Sequence, residues 1–514
     1  MPDGQPSILR PEHPTPRSLD GLVEEFGLDA RGSIAGVEIS GVTLSTHNLQ
    51  PGDLFVGMPG AQVHGAQFAA QAKDGGAVAV LTDEAGAESA AESGLPVVVV
   101  DSPRAALGAV AAWVYRTAEK PPLLFATTGT NGKTSTSYLL EAILRQLGLV
   151  SGLSSTAERR IGDITVPSSL TTPEASEMHG LLARMRESEV RAVAVEVSAQ
   201  ALSRNRVDGL WFDVAGFTNL SHDHLDDYGD MESYFHAELA LFQPDRAGRG
   251  VVSLDSPYGQ RVVDEAHIPV TTISADPEVV GEWNVEILDE RAEYTEFSLS
   301  GPGGRTLVSR VPLIGRHMAA NGALAIVMLV EAGFELEAVA QALDSYGGID
   351  AYLPGRTERV SGDHGPVVYV DFGHSPDAFV NTLAAVRTFT TGRVFMVFGA
   401  AGDRDSSKRA VMGRVAAEGA DVVIVTDHHP RFEDPALIRA AVLAGVHDAD
   451  AGVEVHEVSP PEAAIRLAVS LAREGDTILW AGPGHLDYRE IAGVKTPHSA
   501  RDEARNALRE AGWS

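Results

Sequence analysis

The chain has 514 residues, 44% of them hydrophobic, and its formal net charge at pH 7 is −31. This length exceeds what one hydrophobic core supports, so we expect about three domains. The strong acidity argues against nucleic acid and anionic membranes as partners. It leaves an anionic small substrate open, because such a substrate responds to local charge.

The absence of cysteine excludes disulfides and thiol chemistry and is compatible with a reducing cytosol. The first residues are polar and proline-rich, without the apolar core of a signal peptide. No apolar stretch of about 18 residues is present to span a bilayer. We therefore expect a cytoplasmic protein with no stable membrane association.

In chain order, the composition predicts four segments and an α/β protein. Residues 1–17 are predicted to form a disordered lead. A first domain is expected over residues 18–120, and the Pro-Pro pair at 121–122 marks a linker. Residues 121–350 and 351–514 then form a central and a C-terminal domain. Because apolar runs alternate with helical patterns in both, we predict parallel sheets covered by helices.

The most specific motif, Thr-Gly-Thr-Asn-Gly-Lys-Thr-Ser, occupies residues 128–135. An apolar run at 123–126 precedes it and a helical pattern follows, which predicts a strand, a glycine turn and a helix N-terminus. Backbone N–H groups and the helix dipole at such a turn bind phosphate. The Lys133 ammonium can meet the terminal phosphates, and the Thr134 hydroxyl can bind Mg²⁺. We predict a nucleoside triphosphate site formed by Gly129, Thr130, Asn131, Gly132, Lys133, Thr134 and Ser135.

Two acidic motifs follow later strands of the central segment. Glu196 ends an apolar run, where it can reach a metal ion at the phosphate loop, although an exposed strand-end acid gives the same pattern. His222, Asp223 and His224 follow another apolar run, and either a metal site or a solvated loop explains them. Glu238, on the next helical pattern, is by itself indistinguishable from a surface acid.

These motifs resemble those of the Mur ligases, the ATP-dependent amino-acid-adding enzymes of peptidoglycan synthesis. Their order and spacing match over nearly the whole chain, which makes the resemblance more specific than any single motif. The other matching segments are residues 41–45, 51–55, 64–66, 171–174, 354–356, 370–376, 402–405, 408–409 and 481–485.

The resemblance implies an N-terminal uridine-nucleotide-binding α/β domain, a central P-loop ATPase domain with a parallel sheet, and a C-terminal Rossmann-like α/β domain. It implies a monomeric ligase that uses ATP and Mg²⁺ to add the third amino acid to UDP-N-acetylmuramoyl-L-alanyl-D-glutamate. The substrate carboxylate would attack the γ-phosphate of ATP. A free amino acid would then capture the acyl phosphate, giving UDP-MurNAc-tripeptide, ADP and phosphate.

The resemblance also implies the roles of individual residues. Catalysis and metal binding would fall to Lys133, Thr134, Glu196 and His224. Further ATP contacts would come from Asn321, Arg356, Asp371 and His374. The UDP-MurNAc-dipeptide would contact Ser45, His64, Thr171, Thr172, Ser198 and Arg206. For Arg206, an ordinary surface position is the alternative.

The central helix departs from the family pattern. Mur ligases usually carry a lysine there that becomes carbamylated, in a Tyr-Phe-x-x-Lys context, whereas this chain has Glu238 after Tyr234 and Phe235. A carbamate and a glutamate are both anionic ligands with two oxygens. We therefore hypothesise that Glu238 supplies a catalytic, metal-binding carboxylate directly. The alternative is a relaxed or altered second metal site.

The amino-acid site departs as well. Enzymes that add meso-diaminopimelate carry Asp-Asn-Pro-Arg where residues 428–431 read His-His-Pro-Arg. Arg431 can still bind a distal carboxylate bidentately. Leu486, however, replaces the acid that would face a side-chain ammonium, and a buried ammonium without a partner is costly. Either Asp427 or Asp487 compensates for this loss, or the acceptor lacks that amine.

The added amino acid therefore stays open between lysine or another diamino acid, meso-diaminopimelate, and a neutral amino acid. The residues expected to contact it are Arg404, His428, His429, Arg431, Gly482 and Leu486. Two other functions remain as alternatives. One is a Mur-like ligase that acts on another acid, such as a folate or a secondary metabolite, and the other is a regulatory P-loop NTPase.

Overall fold

The structure, a computed structural model, describes residues 9–449 and 451–513. Three larger sheets of five, eleven and six strands follow one another along the chain. Hydrophobic clusters lie on both faces of each sheet, beneath helices. The predicted α/β class is confirmed. Within the described ranges, no helix is both long enough and apolar enough to cross a membrane.

The first sheet is built from short strands near the N-terminus. The strands here are β1 (Arg17–Ser18), β2 (Asp29–Arg31), β3 (Glu38–Ile39), β4 (Gly41–Thr43), β5 (Asp53–Gly57), β6 (Ala79–Thr82) and β7 (Val97–Val99). The helices are α1 (Leu19–Phe26), α2 (Ala69–Asp74), α3 (Glu84–Ala91) and α4 (Pro103–Tyr115), with a 3-10 helix at Gly65–Phe68. The strand order is β2-β7-β6-β5-β4, in which only β2 is antiparallel to its neighbour, and β1 pairs separately with β3.

The predicted disordered lead is wrong for residues 9–17, and residues 1–8 lie outside the described residues. The Arg10 guanidinium donates to both carboxylate oxygens of Asp53, at 2.9 and 2.7 Å, and Asp53 is only 1% exposed. Composition could not reveal this contact. A buried carboxylate requires a cationic partner, and the segment supplies it from a distant position in the sequence.

The central sheet is the largest. Its strands are β8 (Leu123–Thr128), β9 (Ser151–Ser154), β10 (Glu158–Ile161), β11 (Ile164–Pro167), β12 (Ala192–Glu196), β13 (Phe212–Phe217), β14 (Ala247–Ser253), β15 (Val270–Ser274), β16 (Trp283–Glu290), β17 (Thr295–Ser300) and β18 (Thr306–Val311). The helices are α5 (Lys133–Gln146), α6 (Ala175–Glu187), α7 (Ala199–Ser203), α8 (Leu225–Tyr228), α9 (Met231–Leu239), α10 (Pro257–Glu265), α11 (Arg316–Glu331) and α12 (Leu336–Asp344). Short 3-10 helices lie at Ala240–Phe242 and Pro302–Gly304.

The strand order of this sheet is β11-β10-β9-β12-β8-β13-β14-β15-β16-β17-β18. In this spatial order, the seven neighbouring strands that begin with β9 and end with β16 are parallel, as predicted. Antiparallel hairpins extend both edges of the sheet. After β8 the chain moves to the β9 side, and it later crosses to β13 on the other side. This reversal leaves a crevice beyond the carboxyl ends of β8 and β13, where ligands of open α/β sheets bind.

The third sheet follows the same principle. Its part of the chain contains β19 (Glu358–Arg359), β20 (Val367–Asp371), β21 (Val394–Phe398), β22 (Val422–Val425), β23 (Glu454–Glu457), β24 (Thr477–Ala481), β25 (Tyr488–Ile491) and β26 (Val494–Pro497). The helices are α13 (Pro376–Phe389), α14 (Lys408–Gly419), α15 (Pro435–Asp448), α16 (Pro461–Leu471) and α17 (Ala500–Glu510). The order is β19-β20-β24-β21-β22-β23, with only β19 antiparallel, and β25 and β26 form a separate hairpin.

Candidate functional site

The phosphate loop lies between β8 and α5, as predicted, and both of its glycines are structurally required. Gly129 and Gly132 have φ angles of +123° and +91°, which favour glycine. A Cβ atom at Gly129 would lie 2.3 Å from Thr218 Oγ1, and one at Gly132 would lie 2.6 Å from Asn321 Oδ1. The loop therefore packs directly against the segment after β13 and against α11.

The Lys133 side chain folds back over this loop. Its Nζ donates to the carbonyl oxygens of Gly129 at 2.5 Å and Thr130 at 2.9 Å. The next turn is held by Asn219, whose side chain donates to Asn131 O at 3.0 Å and accepts from Asn131 N at 3.1 Å. The loop thus places an ammonium group beside the N-terminus of α5, the arrangement that binds terminal phosphates.

Thr134 and Glu196 form an oxygen-rich pair beside the loop. The Thr134 hydroxyl lies 3.0 and 3.1 Å from the two carboxylate oxygens of Glu196, and Glu196 is 2% exposed. Thr156 holds the carboxylate in place through its backbone N–H at 2.8 Å and its hydroxyl at 2.9 Å. A hydroxyl and a carboxylate oxygen are donors that suit a hard divalent cation, so the donor set fits Mg²⁺.

Arg356 connects the third sheet's part of the chain to this pair. Its Nη2 donates to Thr134 Oγ1 at 2.8 Å, and its guanidinium lies 4.4 Å from the centre of the Phe372 ring. Burial lowers the pKa of Arg356, although Glu196 and Asp371 favour its charged form. The guanidinium is thus a buried positive charge positioned at the phosphate loop.

Glu238 lies inside the central domain, directly behind the loop. Its carboxylate accepts a hydrogen bond from the Thr128 hydroxyl, and the residue is 1% exposed. Burial raises the pKa of Glu238, while the Lys133 ammonium and the Thr128 hydroxyl oppose the rise. The side chain that the sequence singled out as unusual therefore faces the phosphate loop.

His224 lies on the same side of the loop. Its ring packs edge-on against the Tyr234 ring, with centroids 5.9 Å apart, and the Tyr234 hydroxyl lies 3.1 Å from Thr130 Oγ1. Burial lowers the pKa of His224, which favours the neutral imidazole that binds metals. Possible ligand atoms of His224, Asp226 and Asp227 all lie within 4.8 Å of one another.

The first of two cavities at this crevice has a volume of about 810 Å³. Of the residues predicted to bind ATP, it is lined by Asn131, Gly132, Ser135, Asn321, Arg356 and Asp371. Asp371, the last residue of β20, is fixed because its carboxylate accepts from the backbone of Thr357 and Gly373 at 2.8 and 2.7 Å. The cavity joins the phosphate loop to the C-terminal part of the chain.

The second cavity has a volume of about 240 Å³. Every residue predicted to contact the amino acid lines it, namely Arg404, His428, His429, Arg431, Gly482 and Leu486. His224 and Asp223 line it from the central domain. His374 also lines this cavity and not the larger one, because its Nδ1 is turned toward the Phe372 carbonyl, 2.8 Å away.

Three contacts join the two parts of the chain across the second cavity. Lys408 Nζ lies 3.2 Å from Asp223, His222 lies 3.3 Å from Asp405, and Arg404 lies 3.8 Å from Asp226. The pKa of Asp223, which burial alone would raise, is lowered by the neighbouring His374 and Lys408. Burial lowers the pKa values of His374 and His429 to about 4, so both rings are neutral at neutral pH.

The predicted contacts of the UDP substrate form two groups. Thr172 donates to the carbonyl of Glu196 at 2.8 Å and accepts from Ser198 N at 3.1 Å. Arg206 donates to Thr172 O at 3.4 Å. The Thr171 hydroxyl accepts a hydrogen bond from Thr156, the residue that holds Glu196 in place. These residues therefore lie together near Glu196.

Ser45 and His64 belong to the other group, in the first sheet. Ser45 follows β4, His64 follows β5, and Asp83 follows β6, so all three come after the carboxyl ends of parallel strands. His64 Nε2 lies 3.1 Å from Asp83 Oδ1, and its Nδ1 accepts from Ala66 N. The imidazole is therefore held in one orientation at that edge.

Two residues that the sequence did not single out belong to the site, together with one that it named only within a matching segment. Thr156 positions Glu196, Lys408 pairs with Asp223, and Glu490 lines the second cavity. A hydroxyl in a turn and an acid on a surface hairpin carry no motif of their own. Lys408 belongs to the matching segment 408–409, but no role was assigned to it there.

Neither acid that was expected to compensate for Leu486 does so. Asp427 binds Arg439 and lies 2.6 Å from Ser459 Oγ, while Asp487 lies 2.9 Å from Arg501. Neither residue lines the 240 Å³ cavity. Their carboxylates are directed to arginine partners outside it, so the compensating charge has to come from elsewhere.

Comparison with known proteins agrees with this geometry. Three family models match: the Mur ligase middle domain at residues 127–329, the Mur ligase glutamate ligase domain at 355–484, and the Mur ligase catalytic domain at 38–115. A UDP-N-acetylmuramyl-tripeptide synthetase of Leifsonia xyli subsp. xyli is 62% identical over 508 residues, which is 99% of each chain. A UDP-N-acetylmuramoyl-L-alanyl-D-glutamate–2,6-diaminopimelate ligase of Streptomyces avermitilis is 41% identical over 507 residues, covering 98% of this chain and 99% of the other.

Solved structures show the same fold. That of a UDP-N-acetylmuramoyl-L-alanyl-D-glutamate–2,6-diaminopimelate ligase is 26% identical, with a TM-score of 0.66 over 97% of this chain and 100% of the other. That of MurF from Acinetobacter baumannii has a TM-score of 0.68 at 17% identity, covering 91% of this chain and 96% of the other.

Proposed function

The chain belongs to the Mur ligase family, and we propose on this basis that it adds the third amino acid to UDP-N-acetylmuramoyl-L-alanyl-D-glutamate. It is an ATP-dependent ligase of peptidoglycan synthesis, and therefore of cell-wall formation. The observation that supports the proposal most directly is an ATP-sized cavity at the phosphate loop with a smaller cavity next to it, because Asp371 and Gly373 line the larger cavity while Phe372 and His374 line the smaller one. A ligase has to bring a phosphate donor and an amine to one carboxylate.

In the first step, the terminal carboxylate of the UDP-MurNAc-dipeptide attacks the γ-phosphate of ATP and releases ADP. Both reactants are anions, so their approach requires positive charge between them. Lys133 supplies it from the loop, and Arg356 supplies it from the C-terminal domain through its contact with Thr134. These two cations would neutralise the charge that develops on the transferred phosphoryl group.

The divalent cation is proposed to be Mg²⁺. Thr134 and Glu196 would hold it, since their oxygens already converge within 3.1 Å. His224 and Glu238 are proposed to serve a second cation, with Glu238 in the place of a carbamylated lysine. When bound, the cations polarise the phosphoryl oxygens of ATP.

In the second step, the amine of the incoming amino acid captures the acyl phosphate, giving the amide and phosphate. The acceptor cavity lies between the central and C-terminal domains, and the pairs Lys408–Asp223 and Arg404–Asp226 cross it. Such closure excludes water, which would otherwise hydrolyse the acyl phosphate. Asp223 lines this cavity, where it pairs with Lys408.

The other end of the nucleotide sugar would lie on the first domain. Thr171, Thr172, Ser198 and Arg206 would bind the dipeptide, and Ser45 and His64 would bind the uridine end. The three larger sheets fall within residues 18–120, 121–350 and 351–514, which supports a division into uridine-binding, ATP-binding and amino-acid-binding domains. We further propose that the enzyme acts in the cytoplasm as a monomer.

The test measures ADP release with UDP-MurNAc-dipeptide, ATP and MgCl₂ against single amino acids, and identifies UDP-MurNAc-tripeptide by mass spectrometry. We expect release to require both the dipeptide and an amino acid. Lys133→Met should lower the rate by about 10²–10³-fold, the usual effect of removing one group that stabilises developing charge. Lys73→Met, on α2 and outside both cavities, is the matched control and should retain the full rate.

Two results would contradict the proposal. ADP release that needs neither the dipeptide nor an amino acid would indicate an NTPase. Release that depends on a different acid, such as a folate, would keep the ligase chemistry but change the substrate.

A further inference from the structure

We infer that Glu490 selects the incoming amino acid, and that this amino acid is a diamino acid without a second carboxylate, such as lysine or a shorter homologue. The inference rests on the proposed function and specifies its acceptor. It begins from an ion pair inside the acceptor cavity. Arg431 Nε lies 3.1 Å from Glu490 Oε2, and both residues line the cavity.

The pair is set by the backbone. Arg431 N donates to Glu490 O at 3.1 Å, and Ala492 N donates to Arg431 O at 2.8 Å, so the segment holding Arg431 runs in register with β25. Glu490 N in turn donates to His429 Nδ1 at 2.9 Å. These backbone contacts place Glu490 beside Arg431 and keep the two side chains within reach of each other.

The ion pair changes what Arg431 can bind. An arginine recognises a carboxylate with two parallel N–H groups. Here Nε is directed to Glu490 and Nη1 donates to the carbonyl of Gly402 at 3.1 Å, so each two-nitrogen face of the guanidinium is already partly used. A second carboxylate placed there would also lie beside the Glu490 carboxylate, and like charges at such a site repel. Meso-diaminopimelate is therefore disfavoured.

The same arrangement favours a terminal ammonium. An ionised carboxylate has about four acceptor positions, and Arg431 uses only part of this capacity in Glu490. Leu486 and Met412 also line the cavity and give the methylene groups of a diamino acid an apolar wall. Glu490 thus supplies the negative charge that Leu486 cannot.

The rest of the cavity is consistent with an amino acid that carries one carboxylate. His429 is neutral at neutral pH and adds no positive charge. Lys408 is committed to Asp223 at 3.2 Å. Arg404 is more loosely paired, at 3.8 Å from Asp226, and its side chain is 54% exposed, so it can take the α-carboxylate. One cation and one anion would then hold the two ends of the acceptor.

The test is a panel of kcat/KM values for L-lysine, L-ornithine, L-2,4-diaminobutyrate, meso-diaminopimelate, L-alanine and L-homoserine, with saturating ATP and UDP-MurNAc-dipeptide. We expect a diamino acid without a second carboxylate to give the highest value. Glu490→Gln should lower that value by about 10–100-fold, the range for a lost charge-assisted hydrogen bond. It should raise the value for meso-diaminopimelate, because Arg431 Nε is released.

Two further variants separate this effect from misfolding. Glu490→Asp keeps the charge and should keep the preference for a diamino acid. Glu454→Gln removes a comparable acid that lies 3.5 Å from Arg393, outside the acceptor cavity, and should leave the whole panel unchanged. Circular dichroism and thermal midpoints of all variants provide the check on folding.

The outcomes are distinguishable. If meso-diaminopimelate or a neutral amino acid is the best substrate of the unmodified protein, the inference is wrong but the ligase function stands. If a diamino acid is preferred and Glu490→Gln leaves the preference intact, the role of Glu490 is wrong. If no amino acid stimulates dipeptide-dependent ADP release, both the inference and the proposed function fail.

Discussion

Replacement of Glu238 tests whether a carboxylate has taken over from a modified lysine. Glu238→Ala removes a side chain that is 1% exposed and accepts from Thr128 beside the Lys133 ammonium. Lys133 would then face only the carbonyls of Gly129 and Thr130. Glu238 acts on the phosphate through the Lys133 ammonium and the proposed cation, and the loss of one such stabilising charge costs about 3–4 kcal/mol of transition-state stabilisation, so kcat should fall about 10²–10³-fold.

Glu238→Lys supplies the decisive comparison. In bicarbonate-free buffer it places a second ammonium beside Lys133 in a buried site, so activity should be as low as in the alanine variant. With added bicarbonate the new lysine can form a carbamate, which restores a negative charge and two oxygens. Part of the activity should then return, whereas the unmodified protein should not respond to bicarbonate.

The assay is initial ADP release at pH 8, with and without bicarbonate in degassed buffers, for the unmodified protein and both variants. Glu232→Ala, which removes an exposed acid on the same helix, is the control for substitutions in α9. Full activity of Glu238→Ala would refute the reasoning. So would a requirement of the unmodified protein for bicarbonate, because it would locate the carbamate elsewhere.

Three other changes probe the loop, the domain contact and the acid stability. Gly129→Ala should weaken binding of a fluorescent ATP analogue at least ~10-fold, because its Cβ would lie 2.3 Å from Thr218 Oγ1. Gly148→Ala, which also has a positive φ but no atom within 4 Å of its Cβ, should bind normally. Arg356→Lys keeps a charge but loses the stacking on Phe372, and should raise the KM for ATP about 10-fold, or about 1.4 kcal/mol; an unchanged KM would contradict the proposed contact. Burial lowers the pKa of His179 to about 4. Below about pH 6.5 the unfolded chain therefore binds a proton at this residue that the folded chain does not bind. The free energy of unfolding in urea should therefore be about 2 kcal/mol lower at pH 5 than at pH 7 because of this residue. The free energy of unfolding of His179→Gln should decrease less between these pH values, and an equal decrease in both proteins would contradict the prediction.

The phosphate loop could be predicted because its signals are contiguous in the sequence. A strand, a glycine turn and a helix start follow one another in residues 123–146, and phosphate binding depends on that backbone. Glu196 could be predicted for a related reason, since it ends β12, the neighbour of β8. The carboxyl ends of parallel strands meet at one edge, so a strand-end acid reaches a strand-end loop.

The antiparallel edges of the central sheet and the position of residues 9–17 were not predicted, for different reasons. The edges are hairpins between strands that follow one another directly in the sequence, and the alternation of strands and helices indicated only the parallel part of the sheet. The position of residues 9–17 depends on a partner far away in sequence, the Asp53 carboxylate that fixes Arg10. The same holds for Thr156, which reaches Glu196 from the turn after β9. A hydroxyl in a turn has no periodicity, and its role follows only from which strands become neighbours.

The two ends of the active site also differ in how sequence encodes them. At the phosphate end, a change of residue disturbs the backbone itself, as the Cβ contacts at Gly129 and Gly132 show, so few residues are compatible with the loop. At the acceptor end, a charge can be contributed by any element that borders the cavity. In the proposed role of Glu490, the acid that is missing at Leu486 is returned from another position, on β25 beside the same Arg431. Comparison of motifs detects the missing acid at position 486, because it compares fixed positions in the sequence. It does not detect Glu490, whose place beside Arg431 depends on the pairing of β25 with the segment that holds Arg431.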